Sequence, residues 1–254
     1  MSKRSETWHS ERLGREVSVR RWGEVGTPVV FFPTAAGDCE ECERFLLVDA
    51  LSELLTEGRI KLYSVDSIPG MVWLKESNDA RSGASMQLRF DSFLREEFVP
   101  FVRDDCGVER DDDSLELIAS GSSIGAYEAL IATCRHPEVF RTAICMSGTY
   151  DLSKFLEGPR GEEWNSVSPL ELLPRLDEDD PRLGRLRERF VLLAHATGRW
   201  EEPGQSWRVA EALGNRGVPN RVDEWGAEWD HDWPVWREML PQYLAELLPE
   251  SEED

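Results

Sequence analysis

Leu115-Glu116-Leu117-Ile118-Ala119-Ser120-Gly121-Ser122-Ser123-Ile124-Gly125-Ala126-Tyr127 is the stretch on which the fold assignment turns. Residues 115–119 have the apolar character and length of a strand, and residues 126–135 keep a helical pattern until Pro137 stops it. Between them, Gly121-Ser122-Ser123-Ile124-Gly125 fits G-x-S-x-G. The pattern alone is weak, and it acquires meaning from the strand before it and the helix after it. On so tight a turn a nucleophile is held in a strained conformation, the small flanking glycines relieve crowding, and the helix N-terminus favours developing negative charge. Ser123 is therefore the candidate nucleophile, whereas Ser122 falls at the variable position.

The pattern extends in both directions. Upstream, residues 16–22 alternate as a half-exposed strand, 23–27 form a turn, and 29–32 read as a buried strand. Residues 41–57 have helical spacing, 60–65 form the next strand, and 82–102 form a second long helical pattern. Downstream come a strand at 140–146, irregular chain with short helical pieces at 151–180, a strand at 190–194, a helix at 205–213, a strand at 221–225 and a closing helix at 233–248. Strands alternating with helices imply parallel βαβ units and a sheet covered on both faces. The expected fold is a three-layer α/β/α domain spanning residues 1–254. Its sheet is mostly parallel with about eight strands, it opens on an antiparallel hairpin, and it carries a small insertion near 151–180.

The chain has 254 residues, with 29 basic and 50 acidic side chains and a net charge of −21. Such a chain repels phosphate backbones, so nucleic acid and anionic membrane surfaces are not expected partners. No apolar run reaches the roughly 20 residues of a membrane span. Residues 1–10 lack the apolar core of a signal peptide. The five cysteines are odd in number, which points to a reducing cytoplasm. The acidic runs at 111–113, 177–180 and 251–254 read as solvated turns or tail.

A serine nucleophile needs a base, and there are four histidines. His9 lies in a polar segment, His136 ends a helix before Pro137, and His195 ends a strand as a pocket-lining residue. His231 follows the last strand, where the doubly wound hydrolase order places the base. The acid should follow the preceding strand, and the carboxylates of that loop are Glu201 and Glu202. Glu201 is the first choice; Glu202, held extended before Pro203, should point the other way. Asp223, Asp230 and Asp232 rank lower. For the oxyanion hole, one backbone N–H should come from Ile124 and the other from Pro33-Thr34-Ala35-Ala36-Gly37, with Ala35 the first choice and Ala36 the second. Cys39-Glu40-Glu41-Cys42 has no second pair to complete a zinc site and reads as two ordinary thiols. No phosphate loop and no metal-ligand cluster is visible, so no cofactor or metal is expected. Trp225, Trp229, Trp233 and Trp236 bracket His231 and read as core and pocket wall.

These residues resemble the esterase D-like and mycolyltransferase-like branch of the α/β-hydrolase superfamily. The resemblance rests on Phe31-Phe32-Pro33-Thr34, Gly121 to Tyr127, Arg135-His136-Pro137, Ser147-Gly148-Thr149-Tyr150-Asp151 and His231-Asp232-Trp233 with Trp236, which together cover most of the chain. It implies a cofactor-free Ser–acid–His carboxylesterase acting on small-molecule esters, with glutamate an accepted acid. The chain departs from such relatives at Asp230, often glycine there, which implies a differently shaped histidine loop, and in the Ala35-Ala36 loop. A catalytically silent binding module and an acyltransferase using the same acyl-enzyme are the alternatives.

Overall fold

The alternation within the strands decides how the layers form. A computed structural model of the chain describes residues 2–35, 37–73, 79–109, 112 and 114–248. Its strands are β1 (Lys3–Ser10), β2 (Arg15–Trp22), β3 (Thr27–Phe32), β4 (Ile60–Val65), β5 (Leu117–Ser122), β6 (Phe140–Met146), β7 (Phe190–His195) and β8 (Asn220–Glu224). Val30, Phe32, Ala119, Ala143, Cys145, Val191 and Leu193 enter one apolar cluster. Their immediate neighbours Val29, Phe31, Ile118, Ile144, Leu192 and Ala194 enter a second. Successive side chains point to opposite faces of a strand, so each central strand feeds two cores and must be covered on both sides.

The covering helices are α1 (Glu41–Arg44), α2 (Leu47–Ala50), α3 (Ser52–Thr56), α4 (Ile68–Trp73), α5 (Ala80–Phe93), α6 (Val99–Asp105), α7 (Ile124–Arg135), α8 (Glu162–Val167), α9 (Pro169–Arg175), α10 (Pro181–Leu186), α11 (Pro203–Gly214) and α12 (Trp233–Leu247). Apolar residues of α1, α2, α3 and α12 belong to the second cluster, and those of α5, α7 and α11 to the first. The result is the expected α/β architecture.

The sheet order is β1-β2-β4-β3-β5-β6-β7-β8. β1–β2 and β2–β4 are antiparallel, and every other pair is parallel. The opening hairpin is β1 with β2, turning at Gly14 (φ 66°). From β3 the chain moves outward to β4 and then returns to β5 on the other side of β3. The order reverses there, and in open α/β sheets the crevice beyond the strand ends at such a reversal is where ligands bind. In the register, Phe32 pairs with Gly121, Ser122 with Met146, and Met146 with Ala194. The loops after β3, β5, β6 and β7 therefore leave the same edge of the sheet.

Two expected helices differ in detail. Residues 41–57 form three short helices: Leu46, in a left-handed conformation (φ 62°), breaks the first from the second, and Leu51 (φ −91°, ψ 4°) separates the second from the third. Beside the first break, Phe45 stacks flat on Trp233 at 4.9 Å. Residues 82–102 are helical, but Leu94–Phe98 is a π-helical turn between α5 and α6. Pro100, in the first turn of α6, has no N–H to give to an α-helical ladder, and the wider turn before it relieves the ladder.

Candidate active site

Ser123 lies between the end of β5 and the start of α7, with φ 56° and ψ −120°. A positive φ in a serine is unusual, and its neighbours explain how it is sustained. A Cβ on Gly121 would lie 2.2 Å from the Gly125 carbonyl oxygen, and one on Gly125 would lie 2.0 Å from the Phe32 carbonyl oxygen. Both positions need glycine because backbone passes against backbone. The Ser123 N–H donates to Met146 O at 3.0 Å, and Ser123 O accepts from the Thr149 N–H at 3.2 Å. Ser123 is half-buried. Ser122 is fully buried, and its hydroxyl has no partner among the described residues.

Two candidate oxyanion donors flank this turn. Ile124 is the first residue of α7, so its N–H has no partner within the helix. In the loop after β3, Gly37 N donates to Thr34 O at 3.0 Å, closing a turn over Ala35. The Ala35 N–H makes no backbone hydrogen bond to a described residue. Ala36 lies outside the described residues. Glu41 fixes the turn: its carboxylate accepts from Thr34 N at 2.8 Å and from Thr34 Oγ1 at 2.7 Å. Burial pushes the Glu41 carboxyl up, against the lowering effect of the two Thr34 bonds.

The loop after β7 carries Glu201. Trp200, with φ 64°, turns the chain just before it. The Glu201 side chain is 1% exposed, and its Oε1 lies 3.8 Å from His231 Nδ1, a charge contact longer than a hydrogen bond. His231 Nδ1 has no hydrogen-bond partner among the described residues. The same Glu201 Oε1 accepts from Ser147 Oγ at 2.6 Å, and Ser147 Oγ accepts from Trp236 Nε1 at 2.9 Å. The Trp236 ring stands edge-on to the His231 ring at 5.3 Å. A relay of donors thus runs from α12 through the loop after β6 to the Glu201 carboxylate.

Glu202 faces the other way: it is 55% exposed and pairs with Lys154 and Gln205. Its carboxyl is held below the usual range, first by the Gln205 hydrogen bond and then by Lys154. Asp223 pairs with Arg221, Asp230 with Arg199, and Asp232 caps α12 through the Trp233 N–H. None of these three takes the place of Glu201 beside His231.

The other histidines lie apart from this group. His9 is exposed beside Glu16. His136 Nε2 donates to Asp91 Oδ1 at 2.8 Å. Burial lowers its pKa, but bonds to Asp91 and Glu138 outweigh burial and raise it. His195 is buried, with Glu224 at 3.5 Å. Cys39 and Cys42 are buried free thiols. Burial pushes Cys39 up to about 12 and Cys42 also up, so neither supplies a thiolate at neutral pH. Among the described residues, no cluster of His, Cys, Asp and Glu could hold a metal ion, and no helix is long and apolar enough to cross a membrane.

Sequence reasoning singled out neither Ser147 nor Gln205 for a role; Ser147 and Trp236 entered only as parts of the motifs that carry the resemblance, and Trp236 as core and pocket wall. Gln205 Oε1 accepts from the N–H groups of Tyr150 and Asp151, at 3.0 and 2.8 Å, and so ties the Ser147–Asp151 loop to α11. The available signal was the position of Ser147: it follows β6, beside the strand end that leads into Ser123.

The fold and this edge define an α/β hydrolase. Residues 66–247 match the family model described as "Putative esterase". The chain belongs to that family and is an enzyme of the carboxylesterase type. No curated protein sequence matches it. Among solved structures, a ferulic acid esterase is 18% identical, with a TM-score of 0.72, and the match covers 97% of this chain and 98% of that one. An S-formylglutathione hydrolase from Agrobacterium tumefaciens is 15% identical, with a TM-score of 0.69 and coverage of 97% and 95%. A fluorophosphonate-binding serine hydrolase of Staphylococcus aureus, FphF, is 13% identical, with a TM-score of 0.72 and coverage of 98% and 99%. At these identities the likeness is one of fold.

Proposed function

We propose that the chain cleaves small carboxylic esters through an acyl-enzyme on Ser123. The observation that carries this reading is the Ser123 backbone, held at φ 56° between two glycines that admit no Cβ. Such a conformation costs on the order of 1–3 kcal/mol and persists where the surrounding packing imposes it. Here it fixes Ser123 at the turn between β5 and α7, on the edge of the sheet where the loops carrying Glu201 and Ser147 also emerge.

In the proposed sequence His231 takes the Ser123 proton as Oγ attacks the acyl carbon. The carbonyl electron pair moves onto oxygen, which accepts from the N–H groups of Ile124 and Ala35. Collapse breaks the ester C–O bond, and the leaving alcohol takes the proton from His231. Water then repeats the steps: His231 takes its proton, the acyl carbon is attacked, and Ser123 leaves reprotonated. Glu201 stabilises and orients the imidazolium. Its 3.8 Å spacing from His231 suits that role, since catalytic hydrogen bonds often tighten only in the substrate complex. The chemistry requires neither metal nor cofactor. The buried free thiols support a reducing compartment such as the cytoplasm.

Ser123→Ala should lower turnover of a short p-nitrophenyl ester by about 10⁴–10⁶-fold. Full activity in that variant would sink the assignment. One observation favours a catalytically silent binding module instead: His231 Nδ1 has no hydrogen-bond partner among the described residues, while Glu201 Oε1 is engaged by Ser147. A silent scaffold would leave Ser123 unlabelled by a fluorophosphonate probe. Transfer to an alcohol shares the acyl-enzyme, and product analysis with added acceptors separates it from hydrolysis.

A further inference from the structure

The loops that carry Glu201 and His231 come from different parts of the chain, and three contacts fasten them together. The Gly198 N–H donates to Trp229 O at 3.0 Å, and the His231 N–H donates to Arg199 O at 3.0 Å. Between these two bonds lies Asp230. Its Oδ1 accepts from the Arg199 N–H at 2.8 Å, and its Oδ2 accepts from Arg199 Nε at 2.8 Å and Nη2 at 2.6 Å. The approach is close enough that a Cβ on Gly198 would lie 2.1 Å from Trp229 O and 2.7 Å from Asp230 Oδ1. Asp230 immediately precedes His231, and Arg199 precedes Glu201 by two residues. Between those two, Trp200 (φ 64°) reverses direction, so Arg199 stays at the surface while Glu201 turns inward.

We propose that Arg199 and Asp230 are a pair of positioning residues that lock the His231 loop onto the Glu201 loop and so set the imidazole–carboxylate geometry. The inference rests on the reading of Ser123, Glu201 and His231 as the reacting group. The pair is solvent-facing, and exposed ion pairs add little to stability. A device built only to hold the fold would be poorly placed there. A device that holds two loops in one register needs direction rather than strength, and here both carboxylate oxygens bind donors of a single residue. Displacing a catalytic group by about 1 Å can cost about 10²-fold in rate.

The test uses the full chain with a short p-nitrophenyl ester and compares Arg199→Ala, Asp230→Ala, the double variant and Asp230→Asn. Each single alanine variant should lower kcat by about 10–100-fold with KM within about threefold, while Tm moves by no more than about 2 °C. The double variant should be no worse than the weaker single, because both substitutions remove one lock. Asp230→Asn keeps the acceptor for the Arg199 N–H and should fall between wild type and alanine. Single variants within twofold of wild type, losses that multiply in the double, or activity lost in step with a large fall in Tm would each overturn the proposal. A wild type that neither turns over the ester nor takes a fluorophosphonate probe overturns the Ser123 reading and this inference with it. A labelled, active wild type matched by its variants overturns this inference alone.

Discussion

Replacing Glu201 with glutamine keeps the side chain's size and removes its charge. The substituted amide can still present a carbonyl oxygen to the Ser147 hydroxyl, so the relay from Trp236 through Ser147 survives. What disappears is the attraction between the carboxylate and the imidazolium formed when His231 takes the serine proton. At 3.8 Å and an effective dielectric of roughly 20, that attraction is about 4 kcal/mol. Neutral imidazole gains little from it, so nearly all of the loss falls on the transition state. At about 1.4 kcal/mol per decade, kcat should fall by about 10³-fold. Steady-state hydrolysis of a short p-nitrophenyl ester measures the loss, and a Tm within a few degrees of wild type shows that the fold persists. Glu202→Gln, on the exposed neighbour, should leave kcat within about twofold. The reasoning is refuted if Glu201→Gln retains more than about a third of wild-type kcat, or if Glu202→Gln is the variant that fails.

Ser147→Ala frees Glu201 Oε1 and strands the Trp236 indole N–H, so kcat should drop by about 10-fold and Tm by a few degrees, as read by kinetics and thermal melting. Gly125→Ala drives a methyl into the Phe32 and Pro33 carbonyls at the root of the Ala35 loop. Overpacking there should lower Tm by roughly 5–10 °C and abolish most activity. Glu128 on α7 is fully buried, with Gln87 Nε2 donating to it at 2.5 Å, and burial pushes its carboxyl up to about 8. The folded chain therefore holds a proton that the unfolded chain loses near pH 4.5. This contribution to stability is complete below that pH and is lost as pH rises to about 8. Glu128→Gln should be more stable than wild type at pH 9, with the difference shrinking toward pH 5 in paired denaturant titrations.

The turn that carries Ser123 was legible because its determinants are contiguous: a strand, two glycines and a helix within twenty residues. That the loops of His231 and Glu201 meet could be read because chain order in this fold dictates which loops leave the same sheet edge. The choice between Glu201 and Glu202 rested on their alternation before Pro203, and the structure turns Glu201 inward and Glu202 outward. What sequence could not provide depends on tertiary contact. The left-handed Leu46 has no signature in hydrophobic periodicity, so residues 41–57 looked like one helix. β1 is mostly exposed, and its sequence KRSETWHS has a single large apolar residue, Trp8, so it lacks the apolar–polar alternation of Val17 and Val19 that marked β2. Ser147 and Trp236 act across 89 residues of chain, and Arg199 and Asp230 across 31, so neither pair leaves a local pattern. Asp230 was visible as a departure from the resembling family, but its partner Arg199 emerged only from the folded loops.

The central claim is that Ser123 forms a covalent acyl-type adduct. Intact-mass measurement after treatment with a fluorophosphonate, followed by peptide mapping, tests it most directly. Wild type should gain one adduct, mapped to Ser123, and Ser123→Ala should gain none. An unmodified wild type, or an adduct on Ser122 or Ser147, would contradict the account.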